Sequence, residues 1–262
     1  CCLMQEIKNG IDRTHLYILL EIKQQMKDIM KKQVLFCTLA WLASQAFAQL
    51  ATVTGPDSRL KVNFNLQKGT PVYAVTYDGK TILEDSPLGF VSNIGDFSKN
   101  MSFVGQKTQK ISKTYTQDRI KRSVVNYTAN ELVLTFQNAD KTPLDIVFRV
   151  SNNDVAFRYE IPKSGEPGSI VIREEKTGFD FPSSTTTFLC PQSDAMIGWK
   201  RTKPSYEEEY TADAPMNVRS QYGHGYTFPC LFRIGDDGWA LVSETGVDGK
   251  YCASHLSDAT PD

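Results

Sequence analysis

The densest chemistry in this chain lies in Trp199-Lys200-Arg201-Thr202-Lys203-Pro204-Ser205-Tyr206-Glu207-Glu208-Glu209-Tyr210-Thr211. Three successive carboxylates between tyrosines, just after a tryptophan, supply hard oxygen ligands of the kind Ca²⁺ takes, and aromatic faces on which a sugar ring can lie. In an extended segment Glu207 and Glu209 share one side and Glu208 takes the other, so at most two of them serve one site. The competing reading is a solvated acidic loop neutralised by Lys200, Arg201 and Lys203, and composition alone favours it. A second candidate is His224 in Tyr222-Gly223-His224-Gly225-Tyr226. There glycines permit close backbone approach and tyrosines can flank a sugar, although a lone loop histidine is more often structural.

These residues need a scaffold, and the surrounding sequence describes one. Leu60, Val62, Phe64 and Leu66 alternate with polar residues, the period of a half-buried strand. Lys68-Gly69 turns the chain, and Tyr73, Val75 and Tyr77 alternate up to Asp78-Gly79, a two-residue hairpin signal. Ile82 and Leu83 begin the return strand. Downstream, Leu132/Leu134/Phe136, then Leu144/Ile146/Phe148/Val150, then Val155/Phe157/Tyr159/Ile161 alternate around short polar turns, which predicts an antiparallel meander with one wet face.

Ile170 to Ile172, Phe179 to Phe181, Thr227 to Ile234 and Trp239 to Val242 are further strand candidates, with a hairpin at Gly235-Asp236-Asp237-Gly238. Nothing after residue 49 has a helical period. So many strands exceed what one open twisted sheet tolerates, so the sequence predicts an all-β fold, a large antiparallel two-sheet sandwich. Residues 86 to 115 read as turns and irregular structure, with an exposed loop at Asn93 to Asn100. Cys190 to Gly225 reads as a long irregular loop, the usual seat of binding on a rigid sandwich.

Residues 30 to 49, MKKQVLFCTLAWLASQAFAQ, have the layout of a secretory signal peptide: basic Met30-Lys31-Lys32, apolar Val34 to Ala43, and a small-x-small site at Ala46-Phe47-Ala48. The run is too short for a membrane anchor, so no membrane attachment is expected after cleavage. Residues 1–29 then read as an upstream extension without function, 30–48 as the signal peptide, and 49–262 as an exported, periplasmic or secreted domain. The end at Asp262 reads as a cut within a longer protein. The full chain has a formal net charge of −1, and the exported part has no long basic run, so nucleic acid is not an expected partner. Cys190, Cys230 and Cys252 remain after cleavage, which leaves either one disulfide with a free thiol or three reduced thiols. No cysteine or histidine spacing suits zinc.

The run from Ser58 to Asp262 resembles the N-terminal domain of glycoside hydrolase family 97, secreted enzymes of Bacteroidetes. The carrying segments are Ser86-Pro87-Leu88-Gly89, Phe148-Arg149-Val150 through Asp154-Val155-Ala156-Phe157-Arg158-Tyr159-Glu160, the Tyr206 to Tyr210 motif, and Trp239-Ala240-Leu241-Val242-Ser243-Glu244. The resemblance implies a galactose mutarotase-like β-super-sandwich placed before a catalytic (β/α)₈ barrel. It implies cleavage of α-linked glucosides or galactosides with an active-site calcium, one of whose ligands is a glutamate of the N-terminal domain.

By motif position that ligand resembles Glu207, with Glu208 or Glu209 the alternative if the loop register differs. The catalytic carboxylates of the family lie in the barrel, so none carries over to this chain, which alone is expected to be inactive. Its implied partners are the barrel, by intramolecular contact, and through the barrel an α-linked oligosaccharide. Trp199, Tyr210 and His224 are the weaker substrate-binding candidates. Arg158 is either a surface strand residue or a contact to the barrel. Two other function classes compete: a free-standing carbohydrate-binding module, and an aldose epimerase, which needs a histidine and a carboxylate around the sugar ring and has only His224 and His255 to draw on.

Overall fold

The structure is a computed structural model and describes residues 49–119, 121, 123–162, 168–193, 208–236, 238–247 and 253–260. All of these belong to the unit Gln49–Asp262. The segment read as a signal peptide, Trp199, Glu207 and Cys252 lie outside the described residues. No helix occurs among the described residues, and every strand pairing is antiparallel.

The first sheet is a sequential meander of β1 (Ala51–Thr54), β2 (Leu60–Gln67), β3 (Thr70–Tyr77) and β4 (Lys80–Pro87). Its β3–β4 hairpin turns at Asp78 and Gly79, with φ of 48° and 79°. Both central residues are left-handed, the twist-matched turn that the Asp-Gly pair predicts. Chain order continues with β5 (Phe90–Ser92) and β6 (Gly95–Asp96), then β7 (Ser102–Thr116), β8 (Val124–Gln137), β9 (Pro143–Val150) and β10 (Val155–Glu160). The last four form the second sheet, in the order β10-β9-β8-β7. A small third sheet joins β5 and β6 to β11 (Ile172–Glu175). The fourth contains β12 (Thr186–Phe188), β13 (Ala214–Pro215), β14 (Cys230–Ile234) and β15 (Gly238–Val242), in the order β13-β12-β14-β15.

The alternating apolar residues of the first and second sheets face each other and make one core. Val62, Phe64, Tyr73 and Val75 from one side and Leu132, Leu134, Ile146 and Phe148 from the other are buried in a single cluster. Phe148 is its hub: its ring lies 4.5 Å from Phe64 edge-on, 5.5 Å from Tyr73 and 5.1 Å from Phe157, which it stacks upon. Such offset and edge-on pairs add specificity to the area they bury. The same cluster reaches the fourth sheet through Phe181 and Phe232, whose rings stack at 4.1 Å. The fold is thus an all-β sandwich, with two small sheets sharing the core of the two large ones.

Burial leaves the core phenols tied to backbone. The Tyr73 hydroxyl donates to the carbonyl of Gly178 (3.2 Å), and the Tyr159 oxygen accepts from the amide of Gly89 (2.8 Å). Desolvation pushes the ionisation of both well above the ordinary tyrosine range. On the outer face of the second sheet Glu131 is almost fully buried. It accepts from Gln109 (2.5 Å) and from Nε of Arg149 (3.0 Å). Desolvation raises its pKa, but these donors outweigh it and hold the carboxyl below its ordinary value.

Several sequence expectations are corrected. Residues 86 to 115 are not irregular: they contain β5, β6 and all but the last residue of the 15-residue β7, which pairs along its length with β8. The segment is too polar to show apolar alternation, because most of β7 is exposed and its order comes from the backbone ladder. Asn93 to Asn100 is not simply an exposed loop, since Phe97 is fully buried against Phe90 at 5.0 Å. The strand expected at Ile170 to Ile172 starts only at Ile172. Phe179 to Phe181 forms no strand, although Asp180 accepts from the amide of Glu84 (2.7 Å) and donates to Oγ of Ser86 (2.9 Å). The strand expected from Thr227 begins at Cys230, just past Pro229, which has no N–H to give a ladder. Of the two cysteine arrangements the sequence left open, the structure has Cys190 and Cys230 as free thiols, with Cys252 outside the described residues.

Candidate functional site

Two segments far apart in sequence meet at the described end of the Tyr206 to Tyr210 motif. Glu208 is half-buried, and one of its carboxylate oxygens, Oε2, accepts a hydrogen bond from the Tyr222 hydroxyl at 3.0 Å. Its backbone carbonyl accepts from the thiol of Cys190 at 3.6 Å. Glu208 is therefore positioned from two sides, by a phenol and by the chain leaving β12. Glu209 and Tyr210 are exposed, Tyr210 to 59%. Glu207 and Trp199 lie outside the described residues.

Tyr222 can reach Glu208 because the loop Ser220 to Tyr226 is pinned at both ends. The Ser220 amide donates to Oδ1 of Asp258 (2.7 Å), and the Ser220 hydroxyl accepts from the amide of Gly225 (2.9 Å). Tyr226 and Leu256 exchange backbone hydrogen bonds of 2.7 and 2.9 Å, and Gln192 donates to the carbonyl of Gly225 (2.8 Å). Gly225 has φ of 81°, and a Cβ there would stand 2.0 Å from the Leu256 carbonyl oxygen. Only glycine fits at that position. Further along, the Tyr226 hydroxyl donates to the carbonyl of Val218 (2.8 Å). Its ionisation is raised, first by desolvation and then by the charge of Asp258.

The same loop carries His224 into an open cleft that also takes in Gln192, Ser193, Arg219, His255 and Asp258. The structure therefore brings His224 and His255 to one surface feature. Arg158 is a surface residue: it is half-exposed and pairs with Glu160 on its own strand at 2.6 Å. Deep beside this region, Cys230 donates to the carbonyl of Thr227 (3.3 Å), and burial pushes its thiol up to about 12.

The donor set can be weighed against calcium. Among the described residues no three His, Cys, Asp or Glu side chains gather to hold a metal ion. A carboxylate held by a phenol is nonetheless a suitable single ligand for a hard cation, which takes six to eight oxygens and needs the others from elsewhere. Chemically the loop offers one preoriented carboxylate, a neighbouring exposed one, and a polar cleft alongside.

The sequence offered the tyrosines beside His224 as groups that can flank a sugar, whereas the structure has Tyr222 hold Glu208. Sequence reasoning assigned no role to Asp258 or Leu256, which fix the Ser220 to Tyr226 loop. A contact across 38 residues between two irregular segments leaves no periodic signal.

The comparisons with known proteins agree with this architecture. A solved β-arabinopyranosidase is 61% identical, with a TM-score of 0.78 over 81% of this chain and 34% of its own. A "Probable retaining alpha-galactosidase" of Streptomyces bingchenggensis (strain BCW-1) is 27% identical over 210 residues, which cover 78% of this chain and 30% of the relative. A glycoside hydrolase family 97 enzyme of Pseudoalteromonas sp. strain K8, solved with panose, is 24% identical, with a TM-score of 0.59 over 71% of this chain and 27% of its own, a likeness of fold alone. The chain thus spans about a third of the length of the relatives it matches. A family model described as glycosyl-hydrolase 97 N-terminal matches residues 53–262, and this chain belongs to that family.

Proposed function

We propose that this domain serves an exported, calcium-dependent glycosidase, buttressing a catalytic (β/α)₈ barrel and lending the active-site calcium one glutamate. Glu207 is the assigned ligand, with Glu208 or Glu209 the alternatives. The observation that carries the reading is that the carboxylate run is anchored: the Tyr222 hydroxyl holds Glu208, the neighbour of the assigned ligand and itself the alternative, a tie that a solvated acidic loop does not need. When bound, the calcium supplies positive charge where the glycosidic bond breaks. The domain's own contribution is to hold a carboxylate at the right place and to keep the loop Ser220 to Tyr226 fixed behind it.

The substrate we infer is an α-linked sugar of galactose configuration. An arabinopyranoside of the L series with a β linkage presents the ring stereochemistry of an α-D-galactoside without the exocyclic hydroxymethyl group. With the arabinose taken in the L series, the names of two relatives, a β-arabinopyranosidase and a probable α-galactosidase, describe one ring shape. Export rests on the signal-peptide layout of residues 30–49, with the mature chain starting near Gln49.

The test is turnover of nitrophenyl α-galactoside, β-L-arabinopyranoside and α-glucoside by the complete enzyme carrying this domain, with and without a calcium chelator. The galactose-configured pair is expected to turn over faster, and chelation to abolish the rate. A preference for the glucoside overturns the substrate class, and indifference to chelation overturns the calcium role. Turnover by the present chain alone contradicts the scaffold role, and tight sugar binding by it favours the binding-module reading.

A further inference from the structure

Three segments distant in sequence meet behind the carboxylate run. Tyr226 is bridged antiparallel to Pro191 on one side and to Leu256 on the other. Thr227 donates to the carbonyl of Cys190 (3.0 Å) and Gln192 to that of Gly225 (2.8 Å), while Tyr226 and Leu256 exchange backbone bonds. The first two segments each take hold of Glu208, one through the Cys190 thiol at its carbonyl and the other through the Tyr222 hydroxyl at Oε2. The third, carrying Leu256 and Asp258, is joined to the second.

Tyr222 lies outside this small ladder, and its place follows from Ser220. The amide of Gly223 donates to the carbonyl of Ser220 (3.1 Å), so Ser220, Gln221, Tyr222 and Gly223 close one turn, with Gly223 at φ of 72°. A closed turn of four residues moves as a unit. Whatever fixes Ser220 therefore fixes Tyr222.

Ser220 is buried, and each of its polar groups is engaged. Its amide donates to Oδ1 of Asp258 (2.7 Å), its hydroxyl accepts from the amide of Gly225 (2.9 Å), and its carbonyl accepts from Gly223. The last two bonds lie within the loop. The bond to Asp258 ties the turn to another segment, and a carboxylate acceptor makes it the strongest of the three. A chain of contacts thus runs from Asp258 to the Ser220 amide, through the turn to Tyr222, and from its hydroxyl to Glu208.

We propose that Asp258 is a positioning residue for the carboxylates directed at calcium, acting through Ser220 on Tyr222 and through Tyr222 on Glu208. The proposal rests on the calcium role argued above. A hard cation gathers six to eight oxygens, so a carboxylate fixed in advance binds it more tightly than one that must be ordered. The link requires an acceptor oxygen at position 258, which asparagine keeps and alanine lacks. Without it the loop still has its entry, because the Tyr226 hydroxyl holds the Val218 carbonyl (2.8 Å) and the bonds between Tyr226 and Leu256 are backbone. Asp258→Ala therefore loosens the turn in a folded domain.

The test is calcium binding by isothermal titration calorimetry on the complete enzyme, with amide hydrogen exchange of residues 220–226 as the second readout. Asp258→Ala and Tyr222→Phe are each expected to weaken calcium about tenfold, as loss of an outer-shell partner does. Asp258→Asn is expected to recover most of that loss. The double variant Asp258→Ala/Tyr222→Phe is expected to bind no more weakly than Tyr222→Phe, since two links in one series do not add. Exchange at Gly223 and Gly225 is expected to quicken in Asp258→Ala. Additive losses in the double variant overturn the relay while the calcium role stands, as does faster exchange with calcium affinity unchanged, or an asparagine variant as weak as alanine. A wild-type enzyme that binds no calcium overturns the proposal together with the reading beneath it, and is told apart because all titrations are then flat.

Discussion

Truncating Phe148 to alanine removes the ring around which the two large sheets pack. The ring is fully buried and touches Phe64, Tyr73 and Phe157, so three aromatic contacts between opposed or neighbouring strands are lost at once. Phe→Ala at a buried position costs about 3–5 kcal/mol, from lost transfer energy and the cavity left behind. Each well-oriented aromatic pair is worth about 0.5–1.5 kcal/mol beyond its area, which places Phe148→Ala at the upper end of that range. A domain of this kind has about 5–15 kcal/mol in total, so the variant should be greatly weakened yet measurable. The assay is urea unfolding followed by far-ultraviolet circular dichroism, with Val104→Ala as the comparison. Val104 is 54% exposed and its truncation should change stability by no more than about 0.5 kcal/mol. A loss below about 1 kcal/mol for Phe148→Ala, or equal losses for the two variants, would refute the inter-sheet core as described.

Two further predictions concern pH. Burial holds the Cys230 thiol protonated up to about 12, against an ordinary value of 9.0, so between these values the unfolded chain loses a proton that the folded chain keeps. Stability is then complete below about pH 9 and falls as pH rises toward 12, by at most about 1.4 kcal/mol per pH unit. Thermal melts across this window should fall more steeply with pH for the wild type than for Cys230→Ala, since the buried tyrosines contribute equally to both; equal slopes would contradict the burial of the thiol. Glu131 lies on the other side: its folded pKa is below the ordinary 4.5, so its contribution is present above that value and is lost as pH falls through the folded pKa. Glu131→Gln should cost about 1–3 kcal/mol at pH 7, less than a fully buried pair because Arg149 stays partly solvated, and the gap from wild type should narrow at pH 3. A gap unchanged between the two pH values would contradict the ion pair's role.

The parts of this fold legible in the sequence are those where one sheet face is dry and the other wet. β2, β8, β9 and β10 declare themselves by period-two alternation, and Asp78-Gly79 declares its hairpin, because burial and left-handed turns constrain residue type. β7 is silent for the opposite reason: a largely exposed edge strand imposes almost no apolar pattern. The two-residue β6 and β13 are too short to carry any period. Glu131, a buried charge on the outer face, is invisible until Gln109 and Arg149 are placed around it.

At the candidate site the carboxylate run was legible as chemistry, but its support was not. Tyr222 and Asp258 act across 14 and 38 residues through irregular segments, where sequence carries no register. The family was legible from short motifs because these combine core positions with the site loop, so that packing and chemistry are read together.

The central claim, that this domain lends a carboxylate to calcium, is tested most directly by calcium titration of the complete enzyme bearing Glu207→Gln, Glu208→Gln or Glu209→Gln. The account predicts that Glu207→Gln raises the calcium concentration for half-maximal turnover tenfold or more, about 1.4 kcal/mol of lost binding, while the fold's melting temperature in chelator stays unchanged. Calcium curves indistinguishable from wild type in all three variants would contradict it.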